Sequence, residues 1–502
     1  MEEKEKKING SYYTPGILAD FLIEESLKYI DKDKVNILEP SCGDGIFLNG
    51  LLNNQSFLSR DKSFVCAVEK NHLELEKAKK FKKVFTQNQV KTSFKSMDFL
   101  DFNKNHKKRY NFIIGNPPYI HKKFMTDEQR ELSKEVLRKI NVDVNTIYNL
   151  WIPFVVGCTE LLTDDGVICF ILPAEILQVK YAEPIRKFLF EKYNEFHIMS
   201  FDSQIFEGIE QDVVVFLGIK GSKNNMIVHQ LVSNKEGRLE IIDQNILKQK
   251  KYLNKWLWYL MTQDEIDLID RLSNNIHPIN YYCTSTAGIV TGNNSFFILN
   301  NEEVKQYNLK AWVKPILKKS AFIKDSLTFT QNDFNKLIES NNSCFLLDLN
   351  NLDSTNIPKE VKTYLKKGIE EKVDDGYKCK QRNDWYKVPS IWSSEGIFFK
   401  RIHLFPKLLK NTMDVNITDT GYRIKMNKGY NIESLIFSFY NSFTLLLLEL
   451  EGRNYGGGVL EITPNEFKKM ALPYIEVSEE QFNTFQNLIS SNKPFEEALI
   501  YT

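Results

Sequence analysis

The sequence is poor in the patterns that hold metals or disulfides. Its seven cysteines include no Cys-x-x-Cys pair, and none of its seven histidines stands four residues from another. Such spacings are what zinc sites and helical metal ligands require. We therefore expect reduced thiols and no metal site. The cysteines stand at positions 42, 66, 158, 169, 283, 344 and 379.

Long apolar runs and a dominant charge are also missing. No apolar stretch is long enough to cross a membrane, and residues 1–7 form a charged tail unlike a secretion signal. These features predict a cytoplasmic protein without membrane partners. With 66 lysines and arginines against 65 acidic residues, the formal net charge is +1. A surface for nucleic acid must therefore come from basic residues that are segregated locally.

The chain has 502 residues, more than one hydrophobic core normally serves. The first half alternates short apolar runs with helical patterns, which is typical of α/β proteins. Residues 221–225 predict a turn between strands, and we expect a last hairpin of the sheet before residue 255. Regular patterning resumes near Trp256. We therefore predict two domains, 1–255 and 256–502, the second of mixed α/β composition.

An unusual tetrapeptide, Asn116-Pro117-Pro118-Tyr119, follows the apolar run of residues 112–115. It would lie at the carboxyl end of a strand, where open α/β sheets bind ligands. Proline cannot donate a backbone hydrogen bond, so we expect the carbonyls of Asn116 and Pro117 to be held outward as acceptors beside the asparagine side chain. Such a group suits a planar amino group, with the Tyr119 ring as a stacking face. The simpler interpretation is a stiff turn that ends a strand.

A glycine-bearing turn follows an earlier apolar run. Residues 35–38 predict a buried strand, and Glu39, Cys42 and Gly43 lie in the turn that leads into an apolar helix. The turn has neither the three-glycine dinucleotide pattern nor a Walker lysine, which disfavours pyrophosphate. A carboxylate at Glu39 fits a ligand with an ammonium group. The alternative role for Glu39 and Asp44 is capping of the helix N-terminus.

Two further acidic residues follow later apolar runs. Glu69 ends the run of residues 64–68, where an acid commonly accepts hydrogen bonds from ribose hydroxyls. Asp98 and Phe99 offer a carboxylate and a ring to the edge and face of an adenine. Taken alone, such a pair is more often a surface loop beside a core aromatic. These features follow one another at the ends of successive strands, and this order favours a shared ligand site over separate loops.

With these segments the chain resembles the class I S-adenosylmethionine-dependent methyltransferases, specifically the gamma-class, TaqI-like adenine-N(6) DNA methyltransferases of restriction-modification systems. Tyr13-Thr14-Pro15 and the segments at 148–154, 165–173, 206–216 and 452–458 extend the resemblance over nearly the whole chain. It implies an α/β fold with a Rossmann-like, mixed seven-stranded sheet, followed by a mixed α/β target-recognition domain. It also implies S-adenosyl-L-methionine as cofactor, double-stranded DNA as substrate and a separate cognate endonuclease as a partner.

The resemblance assigns roles to individual residues. Asn116 and Pro117 would accept hydrogen bonds from the target amino group, and Pro118 would link them to the ring of Tyr119. Tyr119 and Phe206 would stack on the two faces of the flipped base. The cofactor would be lined by Tyr13, Thr14, Glu39, Cys42, Gly43, Glu69, Asp98, Phe99 and Phe154. Small residues such as alanine are frequent in this family where the chain has Ser41-Cys42. A phenylalanine before the apolar run of residues 213–216 is more often an ordinary core residue, which is the simpler interpretation of Phe206.

Candidate DNA contacts lie in the second half. Residues 377–401 interleave basic and aromatic side chains and end in Lys400 and Arg401. The loop of residues 288–294 carries glycines and ends in Asn293 and Asn294, which could read adenine or phosphate. The resemblance adds Arg453 and Tyr455. Solvated lysines over an aromatic core, and a turn without a partner, are the simpler interpretations.

The chemistry we predict is direct methyl transfer to the amino group of a flipped adenine. The chain has no Pro-Cys pair, the nucleophile of carbon-five cytosine methyltransferases, which leaves Cys42 and Cys66 without that role. The alternatives are transfer to a cytosine amino group, to RNA or to a protein glutamine, and a non-catalytic DNA-binding specificity subunit. A fused nuclease is disfavoured because few residues precede Tyr13.

Overall fold

The computed structural model describes residues 14–140, 142, 147–202, 212–248, 251–323, 326–455 and 459–491, with only the main chain at 454 and 455. The chain divides into two compact units, Met1–Ile269 and Asp270–Thr502.

The first unit is built on a nine-stranded sheet of order β3-β2-β1-β4-β5-β7-β6-β8-β9. Strands β1 to β5 are parallel to one another, and β7 runs antiparallel between β5 and β6. The predicted α/β class and mixed sheet are confirmed, but the sheet has nine strands among the described residues and not seven, because a hairpin, β8–β9, extends it beyond β6. The strands are β1 Asn36–Glu39, β2 Phe64–Glu69, β3 Lys91–Ser96, β4 Tyr110–Gly115, β5 Leu162–Pro173, β6 Glu195–Phe201, β7 Val213–Ile219, β8 Met226–Lys235 and β9 Arg238–Leu247.

Two hydrophobic clusters of this unit enclose the central strands, which are apolar almost throughout because both of their faces are buried. Several helices begin at side chains that accept a backbone N–H, including Asn54, Asn71 and Asp98. The α-helices are α1 Gly16–Leu27, α2 Ile46–Asn53, α3 Gln55–Leu58, α4 His72–Ala78, α5 Lys82–Gln87, α6 Phe99–Asn105, α7 Asp127–Lys139, α8 Trp151–Leu161, α9 Glu183–Lys192 and α10 Gln263–Asn275, whose last residues belong to the second unit.

The division between the units falls later than the expected boundary at residue 255. Trp256 stacks on Phe196 of β6 at 5.0 Å between ring centroids, and Tyr259 lies in the same cluster. These rings are buried in the core of the first unit. The segment after residue 255 therefore completes the first core before the second begins.

The second unit contains three smaller sheets, of order β10-β19-β15-β17-β13, β11-β14-β12-β18 and β16-β21-β20. Most of their strand pairs are antiparallel. The strands are β10 Cys283–Ala287, β11 Ile298–Leu299, β12 Val313–Leu317, β13 Thr328–Phe329, β14 Phe345–Leu347, β15 Gly396–Phe399, β16 Arg401–Ile402, β17 Lys407–Asn411, β18 Asn416–Ile417, β19 Gly421–Met426, β20 Arg453–Tyr455 and β21 Val459–Glu461.

Helices cover these sheets, and capping boxes at Asn300, Thr330, Thr463 and Ser478 start four of them. The composition is therefore the mixed α/β type predicted from the sequence. The helices are α11 Ile279–Tyr282, α12 Asn294–Phe297, α13 Asn301–Gln306, α14 Gln331–Glu339, α15 Lys359–Glu370, α16 Tyr377–Lys380, α17 Ile432–Phe439, α18 Ser442–Glu451, α19 Pro464–Lys469 and α20 Glu479–Ser490.

Within the described residues, no helix has both the length and the apolar character needed to span a membrane. All seven cysteine side chains are buried and free.

Candidate active site

Three of the predicted site residues of the first unit, Glu39, Glu69 and Asn116, lie at one edge of the sheet. β1, β2 and β4 are neighbouring parallel strands, so their carboxyl ends share that edge. Glu39 and Glu69 are the last residues of β1 and β2, and Asn116 directly follows β4. Hydrogen bonds between the connecting turns then join the three positions.

The glycine turn after β1 depends on backbone conformations that glycine favours. Gly43 and Gly45 have φ of 51° and 93°. A Cβ atom on Gly45 would lie 3.0 Å from the Phe81 ring and 3.2 Å from the Ala78 main chain, whereas one on Gly43 would meet nothing within 4 Å. The main chain at Gly43 is therefore open to close approach by a ligand.

Glu69 fixes this turn from the neighbouring strand. Its Oε2 atom accepts a hydrogen bond from the Gly43 N–H at 3.0 Å, and its Oε1 atom accepts from the Asn71 N–H at 2.7 Å. The Cys42 N–H donates to the Val68 carbonyl at 3.0 Å. Since each carboxylate oxygen accepts more than one hydrogen bond, Glu69 retains capacity for a hydroxyl ligand.

Glu39 is a buried carboxyl group, 1% exposed, whose Oε2 atom has no hydrogen-bond partner among the described residues. Burial, with Glu69 and Asp44 nearby, raises the pKa of Glu39 well above its usual range. The alternative role of Glu39 as a helix cap is wrong, because the N-cap residue of α2 is Gly45 and no side chain caps this helix. A buried carboxyl with an orphaned oxygen fits the ammonium group of an amino-acid ligand.

The Asn116 side chain is tied to the segment that precedes α1. Its Nδ2 atom donates to the Thr14 hydroxyl at 3.3 Å, and Thr14 is 7% exposed. This contact places the amide oxygen at the opposite end of the group from Thr14. The Asn116 main-chain carbonyl accepts from the Ser41 hydroxyl at 3.1 Å, which uses one of its two lone pairs. Ser41 therefore uses one of the acceptors that the tetrapeptide was predicted to offer.

Tyr119 is fixed at both ends. Its hydroxyl donates to the carbonyl of Ile171 in β5 at 2.9 Å, and its side chain is 8% exposed within the hydrophobic cluster. The tetrapeptide between β4 and this ring contains Pro117 and Pro118, each with restricted φ. The ring orientation is therefore set by the protein before any ligand arrives, as a stacking platform requires.

Asp98 caps α6 through Oδ1, which accepts from the Leu100 N–H at 2.9 Å. Its Oδ2 atom accepts from Lys70 Nζ at 3.2 Å and from Gln129 Nε2 at 3.0 Å. Gln129 was not among the residues predicted for the site. Thr126-x-x-Gln129 is readable as a capping box, but the contact with Asp98 arises only from tertiary packing.

Phe99 and Phe154 are both buried and contact each other, with ring centroids 4.8 Å apart and planes inclined by 41°. They belong to the cluster that also holds Tyr119. The structure thus brings together two aromatic residues that the sequence places in separate segments.

Neither nearby cysteine has the character of a nucleophile. Burial raises the pKa of the thiols of Cys42 and Cys66, so both are neutral and unreactive near pH 7. Tyr13 and Phe206, two further predicted site residues, lie outside the described residues.

In the second unit, Asn293 and Asn294 have local structural partners. The Asn293 side chain caps α12 by accepting from the N–H groups of Ser295 and Phe296, and Asn294 accepts from the Thr291 hydroxyl. Arg382 holds the same loop by donating to the carbonyls of Val290 and Thr291. The loop is therefore a fixed structure rather than a loose turn.

The predicted arginines are each paired with an acid. Arg401 Nε lies 2.9 Å from Glu461, and Arg453 Nε lies 3.2 Å from Glu466. The Arg401 side chain is still 64% exposed, and Lys400 beside it is half-buried. Phe398 and Phe399, predicted among the interleaved aromatics, are instead core residues of β15. Tyr455 ends β20, and its side chain is outside the described part of the chain.

Two family models match most of the chain. Residues 47–206 match the Eco57I restriction-modification methylase, and residues 253–502 match the C-terminal domain of the Type II methyltransferase M.Eco57I.

Individual relatives agree with these matches. The Type II methyltransferase M.AccI of Acinetobacter calcoaceticus is 25% identical over 99% of this chain and 92% of its own length. Among solved structures, the restriction-modification enzyme MmeI in complex with DNA matches with a TM-score of 0.62 at 14% identity, over 100% of this chain and 76% of MmeI. The DrdV–DNA complex matches with a TM-score of 0.52 at 12% identity, over 96% of this chain and 57% of DrdV.

Proposed function

Because the chain belongs to the Type II methyltransferases of restriction-modification systems, a family of DNA methyltransferases that use S-adenosyl-L-methionine, we propose that it methylates the exocyclic amino group of adenine at a specific DNA site. The observation that carries the adenine assignment is the intact Asn116-Pro117-Pro118-Tyr119 segment at the carboxyl end of β4. Its amide and ring are fixed by Thr14 and Ile171.

The cofactor fits the acidic edge of the sheet. Glu39, which has an orphaned buried oxygen, would hold the ammonium group of the cofactor, and the open main chain at Gly43 would lie beside its amino-acid part. Glu69 would accept from the ribose hydroxyls, and Asp98 from the adenine amino group beside Phe99 and Phe154. When bound, the cofactor supplies a methyl group on a positively charged sulfur.

The acceptors of the tetrapeptide would act on the target amino group. The Asn116 side-chain oxygen and the Pro117 carbonyl would accept its two N–H bonds, since the Asn116 carbonyl already accepts from Ser41. An aromatic amine is a weak nucleophile because its lone pair is delocalised into the ring. Acceptors that favour a tetrahedral nitrogen localise this pair, and preorganised groups of this kind contribute on the order of a few kcal/mol to catalysis.

The transfer needs no covalent bond to the protein. Asn116 and Pro117 would hold the amino nitrogen so that its lone pair faces the methyl group that the cofactor would supply. The sulfur would keep the electron pair of the broken bond, and the nitrogen would release one proton after the transfer. The neutral, buried thiols of Cys42 and Cys66 have no part in this sequence. Tyr119, with Phe206 on the opposite face, would hold the flipped base while the bond forms.

The second unit would select the DNA site. Arg401 is largely exposed next to Lys400, and the loop that ends in Asn293 and Asn294 is held rigid by Arg382. Arg453 and Tyr455 lie on the strand that follows α18. A rigid loop and exposed basic groups suit contacts to phosphates and base edges. We further propose that the modification protects DNA from a separate cognate endonuclease, and that the protein acts in the cytoplasm.

The experiment that tests the proposed function identifies the methylated base directly. Purified protein is incubated with unmethylated genomic DNA and isotopically labelled cofactor, and the DNA is digested to nucleosides for mass spectrometry. We expect label in N6-methyl-2′-deoxyadenosine, with long-read sequencing placing it in one sequence context. Label in N4-methyl-2′-deoxycytidine would show that the target is the cytosine amino group instead of the adenine amino group. Label found only with RNA or protein substrates would overturn the proposal.

A further inference from the structure

We infer that Gln129 is a positioning residue for the cofactor, which orients the Asp98 carboxylate for recognition of the adenine amino group. The inference rests on the proposed placement of the cofactor at Asp98. It adds a residue from a helix that contributes no other group to the site and lies after the catalytic tetrapeptide in the chain.

The Gln129 amide makes two contacts with opposite polarity. Its Oε1 atom accepts from the Thr126 N–H at 3.2 Å, which is half of the capping box of α7. Its Nε2 atom donates to Asp98 Oδ2 at 3.0 Å. Because one end of the amide is fixed by the cap, the other end must present a donor toward Asp98.

The surroundings make this orientation rigid. Gln129 is 6% exposed, and its main chain is held on both sides by the Thr126 hydroxyl and by Ser133, whose hydroxyl donates to the Gln129 carbonyl. α7 packs against both α6 and α8. A buried amide with both ends bonded does not rotate at low cost.

The consequence for Asp98 is a defined carboxylate plane. Oδ1 accepts from the Leu100 N–H, and Oδ2 accepts from Lys70 and Gln129. Lys70 has a flexible and largely exposed side chain, so the buried Gln129 is the stiffer of the two side-chain donors. The lone pairs left on the carboxylate then point in a fixed direction, as selective recognition of an amino group requires.

α7 also follows the tetrapeptide closely in the chain. The segment between them is anchored by the Lys122 N–H, which donates to the Tyr148 carbonyl, and by Met125, which is 3% exposed in the cluster of Phe99 and Tyr119. Gln129 therefore connects the part of the chain that holds the target-base ring with the acid that holds the cofactor.

Gln129→Glu separates the two roles of this residue. A glutamate at this position keeps the acceptor of the capping box and keeps its size, but it replaces the donor toward Asp98 with a carboxylate. Because two carboxylates at this distance repel each other, the variant should have a lower unfolding temperature than wild type, and its ligand binding is measured well below that temperature. Thr126→Ala is the matched control, because it removes the cap hydroxyl and leaves the Gln129 amide donor in place.

The readout is calorimetric binding of two ligands in the absence of DNA. S-adenosylhomocysteine carries the adenine amino group, and S-inosylhomocysteine carries a carbonyl oxygen in its place. Wild type should prefer the amino ligand. Gln129→Glu should weaken binding of the amino ligand by roughly tenfold or more and reduce the preference. Thr126→Ala should lower the unfolding temperature and keep the preference.

Each other outcome has a distinct meaning. An unchanged preference in Gln129→Glu, or equal weakening of both ligands, would overturn the role of Gln129 while leaving the proposed function intact. A wild-type protein without the preference would overturn the placement of adenine at Asp98 and the inference with it. A wild-type protein that binds neither ligand would overturn the proposed function itself.

Discussion

The predicted functional residues are grouped together in the first unit of the chain and dispersed in the second. In the first unit, Glu39, Glu69 and Asn116 come from different strands and are joined by hydrogen bonds through Ser41 and Gly43. In the second unit, Arg401 and Arg453 are each paired with a glutamate, and Asn293 caps a helix. The first group shares one sheet edge, and the second is distributed over separate local contacts.

The difference follows from sheet topology. Parallel strands with helical crossovers bring every carboxyl end to the same edge, so the order of motifs in the sequence becomes proximity in space. In short antiparallel strands, the carboxyl ends of neighbouring strands lie at opposite edges, so the order of motifs does not predict proximity. Arg401 and Arg453 both stand opposite Glu461, a relation set by strand register that the spacing of these residues does not contain.

The largest loss of cofactor affinity should come from a substitution of Glu39. Glu39→Gln keeps the shape of the side chain and removes the charge that would pair with the cofactor ammonium. Loss of one member of a buried charge pair typically costs about 2 to 5 kcal/mol, so cofactor affinity should fall by more than tenfold. Calorimetry with S-adenosylmethionine measures this, with Glu69→Gln for comparison. An unchanged affinity would place the ammonium group elsewhere.

The next largest effect should be a lower rate of methyl transfer when the Tyr119 ring in the first unit is removed. Tyr119→Ala should lower the rate of methyl transfer by the stacking contribution of one ring, about 1 to 3 kcal/mol. Tyr119→Phe is the matched control, because it keeps the ring and removes only the hydrogen bond to Ile171. Single-turnover kinetics should show a large loss for the alanine variant and near-normal transfer for phenylalanine. Equal losses would indicate that the hydroxyl, and not the ring face, matters.

Removal of basic side chains tests whether the second unit binds DNA. Lys400→Ala with Arg401→Ala should weaken binding to all duplexes and reduce the salt dependence of affinity by about one unit for each phosphate that is no longer neutralised. If Arg401 instead reads a guanine, preference at one base pair should relax by ~1 to 3 kcal/mol. Lys366→Ala, an exposed lysine on α15, is the control. Unaltered affinity at every salt concentration would remove these residues from the DNA surface.

The smallest effect concerns the sheet beneath the site. Burial alone would raise the pKa of Glu195, but hydrogen bonds from His197, Ser222 and Asn224 outweigh it and lower the pKa from 4.5 to about 2. A lowered folded-state pKa stabilises the protein above pH 4.5, and this contribution is lost as the pH falls toward 2.

Glu195→Gln should therefore be less stable than wild type at pH 7, and the two should converge as the pH falls below 4.5. Urea unfolding followed from pH 7 downward measures the difference, with the exposed Glu191→Gln as the control. A difference that stays constant over this range would show that the Glu195 charge does not contribute.

How far the sequence predicts the molecule also differs between the units. The apolar runs that became β1, β2 and β4, and the glycine turn after β1, were correctly placed because local pattern determines them. The Ser41 contact that occupies the Asn116 carbonyl was not predictable, since it joins turns from different strands. Nor was the Gln129–Asp98 contact, which depends on how α7 packs.

The boundary at residue 255 shows the same limit. The regular patterning that resumes near Trp256 is a local signal, whereas the burial of Trp256 against Phe196 depends on the completed sheet. In the second unit, the pairing of each arginine likewise depends on register and packing. The sequence therefore predicts which residue types lie in each strand end and turn. It predicts the contacts of a side chain only where the sheet topology brings the residues together.

The sharpest test of the catalytic assignment is Asn116→Ala, measured for cofactor binding and methyl transfer in the same preparation. We predict that methyl transfer to DNA is abolished, because the amino group loses a fixed acceptor. Cofactor affinity should stay within about tenfold of wild type, or ~1.4 kcal/mol, since Glu39, Glu69 and Asp98 remain in place. Near-normal turnover by this variant would contradict the assignment of the tetrapeptide as the catalytic site.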